Sequence, residues 1–194
     1  MRYKLLRQIK PLYFSYVQIS DMFSISPESA KVFCSRYVKN GLLIRIKRDV
    51  YILTEKWENL NIQEQMRLTN IIQVPSYISL NSALTYYGYS TQIQQKYIES
   101  ICLKRSYNKI IGNYEFSFIK IAEPLYHSFI KHDGFFIAKP EKAVADALYL
   151  KSLGRYEIDF SALDISKFNF EELKQIFCTF PKKVLTVWKN YADI

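Results

Sequence analysis

Apolar positions along the first quarter of this 194-residue chain recur with a helical period. Leu5, Leu6 and Ile9 share one face of a segment over residues 2–10, which Pro11 stops. Residues 13–17 read as a short extended stretch, and Ile19, Met22 and Phe23 are spaced to pack inward from a second helix over 18–24. Ser24-Ile25-Ser26 makes a brief connection. Ser26 is then placed as an N-cap, with Pro27 at the first helical position and Glu28 favourable to the helix dipole. Ala30, Phe33, Cys34 and Tyr37 follow at i, i+3, i+4 and i+7, a single buried stripe, before Asn40-Gly41 closes the helix. Two strand-like runs, 42–46 and 50–53, are joined by Lys47-Arg48-Asp49. Two helices with a three-residue turn and then a basic-tipped hairpin predict a winged helix-turn-helix over residues 1–56.

The pattern downstream mixes periods. Residues 54–60 read as a polar bridge containing Trp57, and Asn61 with Glu64 starts a helix running to about residue 73, where Pro75 breaks it. Ser79 is placed to cap a helix in which Leu80, Ala83, Leu84 and Tyr87 are spaced to pack, with Gly88 closing it. Residues 97–103 and 114–121 are rich in β-branched and aromatic side chains and read as strands. Two shorter runs, 125–131 and 135–138, flank His132-Asp133-Gly134, and the Asp-Gly pair favours a hairpin. Pro140 and Glu141 open a helix with Ala143, Val144, Ala147, Leu148 and Leu150 inward, ending near Gly154. Asn169 and Glu172 cap a helix carrying Leu173, Ile176 and Phe177, and a last helix carries Val184, Val187, Trp188 and Tyr191. The expectation is an α+β fold, with a winged helix-turn-helix over 1–56 followed by a mixed helix and antiparallel-sheet domain over 57–194.

Composition narrows the class. With 49% apolar and 23% charged residues, the chain is neither disordered nor collagen-like nor a cysteine scaffold. No run of about 18 apolar residues is present, so no membrane-spanning helix is expected. Charges interrupt the apolar positions of residues 1–10, unlike a signal peptide, and the odd, scattered Cys34, Cys102 and Cys178 fit a reducing cytoplasm.

Charge changes the picture once it is divided. Residues 1–56 hold eleven Lys or Arg and four acids, whereas the rest of the chain holds sixteen and fourteen; seven of the nine excess charges lie in the first segment. Such a module suits a polyanionic partner, here double-stranded DNA; a solvated basic face is the alternative. With the Ala30 stripe turned inward, the helix presents Ser26, Ser29, Lys31, Val32, Ser35, Arg36 and Lys39. That face suits a major groove about 12 Å wide, where Arg reads guanine and hydroxyls serve either base. Lys47 and Arg48 at the hairpin tip are placed for phosphates or an adjacent groove, and Tyr51 for packing under the hairpin or touching the backbone. The alternative is an ordinary polar helix surface, or a protein-binding helix-turn-helix.

Catalytic residue types are present without a catalytic arrangement, so no catalytic, cofactor or metal set is expected. His127 and His132 lack a neighbouring cysteine or a His-Glu-x-x-His helix. Glu99 and Glu115, with Lys104 nearby, are the acids a magnesium nuclease would use, but they read better as surface acids on strands. The loop with Lys104, Arg105 and Lys109 extends the basic surface or is simply solvated.

Three stretches carry a family resemblance. Residues 19–53, including Gly41-Leu42-Leu43 and Val50-Tyr51-Ile52-Leu53, resemble the N-terminal domain of AbiEi-type antitoxins of type IV toxin–antitoxin (abortive-infection) systems. Tyr77-Ile78-Ser79-Leu80-Asn81-Ser82-Ala83-Leu84-Thr85-Tyr86-Tyr87-Gly88 and Ala138-Lys139-Pro140-Glu141-Lys142-Ala143-Val144-Ala145-Asp146 are similar to the same family and are the more specific blocks. The resemblance covers roughly residues 15–155; residues 156–194 match nothing in it. It implies a cytoplasmic phage-defence regulator that is not an enzyme. Its winged helix would repress its own operon, and its C-terminal region would counteract a nucleotidyltransferase-like toxin; an operator of inverted repeats would need two copies of the module. Pro140 and Glu141 carry over only as a helix start. Two other readings stay open: a plain transcriptional regulator with a ligand-sensing or dimerising C-terminal domain, and a phage-defence nuclease using Glu99 or Glu115.

Overall fold

A computed structural model describes residues 2–192, and the chain divides into two compact units, Met1–Leu68 and Thr69–Ile194. The first contains α1 (Arg2–Leu6), β1 (Phe14–Ser15), α2 (Tyr16–Phe23), α3 (Pro27–Lys39), β2 (Leu43–Lys47), β3 (Val50–Leu53) and α4 (Thr54–Glu58); α5 (Ile62–Ile72) begins in it and ends in the second. The three strands form an antiparallel sheet in the order β1-β3-β2. Leu6, Ile9, Phe14, Ile19, Ala30, Phe33, Cys34, Leu43, Tyr51 and Leu53 make its core, and Tyr37 closes the α3 stripe from a half-buried position, stacked on Phe33 at 4.0 Å.

Several local expectations change. The helix expected over 2–10 stops at Leu6, and Leu5 and Met22, expected inward, are each 41% exposed. Each short helix has one fully buried apolar residue, Leu6 or Ile19, with Tyr3 on α1 and Tyr16 and Phe23 on α2 packed at the edge of the core. Of the extended stretch expected over 13–17, only Phe14 and Ser15 pair. Ser15 already begins α2 through a capping box, its hydroxyl accepting from the Gln18 N–H while its own N–H donates to the Gln18 side chain.

The polar bridge expected over 54–60 is the helix α4, with Trp57 buried. The Lys56 ammonium donates to the carbonyls of Ile9 at 2.7 Å, Lys10 at 3.3 Å and Pro11 at 2.9 Å, and the Arg7 guanidinium meets the Glu55 carboxylate at 2.9 and 2.6 Å. These bonds fasten α4 to the N-terminal segment, so the unit runs on to Leu68, past the division at 56/57 that charge suggests. Asn61 and Glu64 exchange backbone-to-side-chain bonds at 3.0 and 2.9 Å and start α5 as expected.

The second unit holds β4 (Ser76–Ile78), α6 (Leu80–Tyr86), β5 (Tyr97–Cys102), β6 (Tyr107–Ile111), β7 (Tyr114–Lys120), β8 (Phe129–His132), β9 (Phe135–Ala138), α7 (Pro140–Ser152), α8 (Phe170–Cys178) and α9 (Lys182–Ala192). Its six-stranded sheet has the order β6-β7-β5-β4-β9-β8. The sheet is mixed rather than antiparallel: β5 runs parallel to β7, and β4 parallel to β9. Two strands carry no legible sequence signal. β4 is three residues long and buried throughout, so it shows no alternation, and β6 is a five-residue edge strand whose exposed face mixes Asn108 with Ile110. The β8–β9 hairpin turns through Asp133 and Gly134 at φ +46° and +85°, the left-handed pair that an Asp-Gly turn supplies.

α7 is buried on nearly every side. Beyond the apolar face expected of it, Glu141, Lys142 and Asp146 are also inside. Buried charges must find partners. The Glu141 carboxylate accepts from the N–H of Asn169 at 3.0 Å, just before α8. The Lys142 ammonium donates to the Asp146 carboxylate one turn on and to the Leu125 carbonyl at 2.7 Å. The second Asp146 oxygen accepts from the hydroxyls of Tyr77 at 2.9 Å and Ser79 at 2.8 Å. Burial opposes charge on both partners, pulling the Lys142 amine down and pushing the Asp146 carboxyl up, while their mutual attraction works against both shifts. Ser79, expected to cap α6 with its side chain, spends that hydroxyl on Asp146 instead. The next residue, Leu80, sits at φ +57°, a conformation that a non-glycine residue keeps only where its surroundings hold it.

Asp146→Ala strands a buried ammonium and two hydroxyls, so it should lower unfolding stability by about 3–5 kcal/mol. Urea unfolding followed by far-UV circular dichroism reads this as a lower midpoint, and adding Lys142→Met should recover part of the loss.

Candidate nucleic-acid interface

α2 and α3 are joined by three residues with little freedom. Ser24 ends α2 in the left-handed region (φ 50°, ψ 47°), the Ile25 N–H donates to the Ser20 carbonyl at 3.1 Å, and the Ser20 hydroxyl returns a bond to the Ile25 carbonyl. Ser26 caps α3 by accepting from the Ser29 N–H at 3.2 Å, and Pro27 takes the first helical position. Phe33 stacks on Tyr37 and lies 5.3 Å from Phe23, which fixes the roll of α3 against α2. Cys34 is buried in this seam, and burial pushes its thiol up to about 11, so it packs as an apolar group.

The roll leaves Ser26, Ser29, Lys31, Val32, Ser35, Arg36 and Lys39 exposed on the outer side of α3. They are not equally free. Ser26 is engaged in the cap, and its hydroxyl also donates to Ser29 at 3.0 Å. The Lys31 ammonium sits 4.6 Å from the centre of the Tyr16 ring, drawn toward α2. Glu28, Val32 and Arg36 lie four residues apart and, with Ile25, Ser29 and Phe33, line one shallow groove. Glu28 is absent from the sequence-derived set, because its helix-dipole role explained it there.

The hairpin supplies the second part. Between Arg45, opposite Tyr51, and Lys47, opposite Val50, the register shifts and Ile46 becomes an extra, buried residue. Such a bulge re-aims the residues after it. Asp49 at φ +61° completes the tip. Lys47 is half-buried; the Arg48 side chain is 90% exposed, and its 3.5 Å contact with Asp49 is too exposed to hold it. Tyr51 packs in the core beneath the hairpin. Arg45, which the sequence reading did not single out, is exposed on β2.

In the second unit the acids separate. Glu99, read from sequence as a surface acid, is buried: β5 is covered at this point by α6 and by Tyr156. One carboxylate oxygen accepts from the Tyr156 hydroxyl at 3.2 Å and from the Ser82 N–H at 3.3 Å. Burial pushes its carboxyl up to about 7 against the pull of these donors. Glu115 is half-exposed and accepts from the Asn108 amide at 2.8 Å. The His127 ring meets the hydroxyls of Ser128 at 2.8 Å and Thr179 at 3.0 Å, while His132 faces Asp133 at 3.4 Å. Among the described residues, no group of three or more His, Cys, Asp or Glu is placed to hold a metal, and no helix is long and apolar enough to cross a membrane.

Glu99 gives a pH dependence with a definite sign. Its carboxyl titrates near 7 when folded and near 4.5 when unfolded, so the folded state keeps an extra proton between those values. The associated stability is full below pH 4.5 and falls as pH rises through 7. Glu99→Gln, which keeps the acceptor without the charge, should flatten this decline and gain at most about 3 kcal/mol over wild type above neutrality. Thermal melts at pH 5, 7 and 9 measure it; parallel wild-type and variant profiles would refute it.

Comparison with known proteins adds a fold. No family model matches the chain, and no curated protein matches it significantly. A crystal structure of the RV2827C protein from Mycobacterium tuberculosis is similar, with a TM-score of 0.64 and 11% sequence identity over 98% of this chain and 74% of that one. At that identity the likeness is one of α+β fold, shared with RV2827C across nearly the whole chain.

Proposed function

We propose that this chain is a DNA-binding transcriptional autorepressor that acts as the antitoxin of a type IV toxin–antitoxin system, residues 1–56 serving as its winged helix-turn-helix. The observation that carries the reading is the outer face of α3, held by the rigid Ser24–Ser26 connection beside a bulged, basic-tipped hairpin. The proposed recognition residues are Ser29, Val32, Ser35, Arg36 and Lys39 on α3, with Ser26 capping its start and Lys31 on the flank; Lys47 and Arg48 are the proposed phosphate contacts. The antitoxin part rests on the two downstream blocks that resemble the AbiEi family. Their Tyr77, Ser79, Lys142 and Asp146 meet in one buried cluster, so the blocks are a single structural unit. A nucleotidyltransferase-like toxin is the functional partner in this reading, and the site of action is the cytoplasm.

The test is fluorescence anisotropy of the full chain on DNA from upstream of its own gene, beside a shuffled duplex, from about 50 to 200 mM salt. A preference of about 10³ or more for the upstream duplex is expected. Arg36→Ala should weaken the upstream duplex by about 1–3 kcal/mol and relax sequence preference. Lys47→Ala or Arg48→Ala should weaken both duplexes alike and lower the salt slope by about one unit each. Equal binding of wild type to both duplexes would overturn the repressor reading. Growth of cells expressing the adjacent reading frame, with and without this chain, then tests the antitoxin part; no rescue leaves a plain regulator.

A further inference from the structure

The outer face of α3 contains two residues that a surface built only to hold phosphate would not carry. Val32, at 58% exposure, stands in its middle, and Glu28 lies one turn before it. An apolar side chain gains nothing beside a phosphate, and a carboxylate is repelled by one. Both suit base edges in the major groove, where a thymine offers its 5-methyl group and a cytosine its amino group. Glu28, Val32 and Arg36 follow one another at i, i+4 and i+8 along one ridge. The side chains of Glu28 and Arg36 hold no hydrogen-bond or ion-pair partner among the described residues, so both heads are available to a ligand. Lys31, Lys39 and Ser26 lie off this ridge, at its flank, end and start.

We infer that Val32 is a specificity determinant that reads the 5-methyl group of a thymine, with the guanine read by Arg36 about two base pairs away. The spacing follows from geometry: four helical residues rise about 6 Å, against about 3.4 Å per base step for a helix lying along the groove. The inference rests on the DNA-binding reading above and deepens it by naming the chemistry recognised at one position.

The test uses the full chain and a duplex that it enriches from a random-sequence pool. Each thymine of that duplex is replaced in turn by deoxyuridine, which removes only the 5-methyl group. At one thymine, the replacement should weaken wild-type binding about fourfold, the value of one buried methyl-sized group. Val32→Ala should weaken binding to the unaltered duplex by a similar factor and be indifferent to deoxyuridine at that same position. Arg36→Ala should stay sensitive there and lose its preference about two base pairs away. Val32 is exposed, so its truncation leaves the core intact, which a thermal melt verifies. If the deoxyuridine loss persists in full in Val32→Ala, or no single replacement matters, the inference fails while DNA binding stands. If no duplex is enriched, the DNA-binding reading falls and takes the inference with it.

Discussion

The second unit is organised by one carboxylate. Asp146 is wholly buried, and its oxygens accept from Tyr77 on β4, from Ser79 at the start of α6 and from Lys142 on its own helix. Those bonds make the parallel pairing of β4 with β9, the entry into α6 and the depth of α7 mutually dependent. Such a cluster is a poor source of net stability, because desolvating the charges consumes most of what their attraction returns. Its effect is on uniqueness. With one oxygen taken by an ammonium and the other by two hydroxyls, a shift of α7 by a single turn would strand every member. The positive φ of Leu80 falls directly after Ser79, one of the cluster's members.

The first unit divides its positive charge between two tasks. Lys56 is committed to three backbone carbonyls and Arg7 to Glu55; these residues shape the N-terminal segment. Lys31 leans over Tyr16. Among the other exposed cations, Arg36 and Lys39 lie in the last turn of α3, where the dipole also favours them, Arg45 and Arg48 on the hairpin, and Lys4 and Lys10 on the N-terminal segment. A net charge counted along the sequence therefore overstates what a ligand would meet, whereas the local arrangement is more directed than the count suggests. The hairpin itself is divided the same way, with Tyr51 and Leu53 in the core while Arg45 and Arg48 face out.

Legibility followed how local each determinant is. The Ser26-Pro27 start, the Asn61–Glu64 box, the Asp133-Gly134 turn and the Asn169 cap are all decided within a few residues, and the structure has them where the sequence placed them. The Ala30-Phe33-Cys34 stripe was legible for the same reason, and with it which side of α3 faces out. Beyond the helix ends near residues 7–17, what the sequence did not show depended on distant partners. The parallel β4–β9 and β5–β7 pairings join strands separated by other elements, and nothing in either strand announces its neighbour. Lys142 and Asp146 look like a solvated i, i+4 pair until Tyr77 arrives from 69 residues away. Glu99 looks like an exposed strand acid until α6 and Tyr156 cover it. Residues 54–60 read as a polar bridge because the carbonyls that Lys56 caps lie 45 to 47 residues back.

Fold and proposed function rest on different residues of this protein. The likeness to RV2827C at 11% identity means that the same arrangement of helices and strands is reached with almost entirely different side chains. What the two share is then the core geometry, and core positions such as Ile19, Phe33 and Leu43 need only be apolar and of suitable size. The exposed ridge of α3 lies outside that core requirement. Its acid, apolar residue and guanidinium lie outside the core, and its valine is left 58% exposed. A helix surface free of ligands would be better served by the strong helix formers that dominate solvated faces. Under the proposed reading the β-branched Val32 gains its physical reason from DNA docked against α3, so function has to be argued from these side chains and not from the fold that presents them.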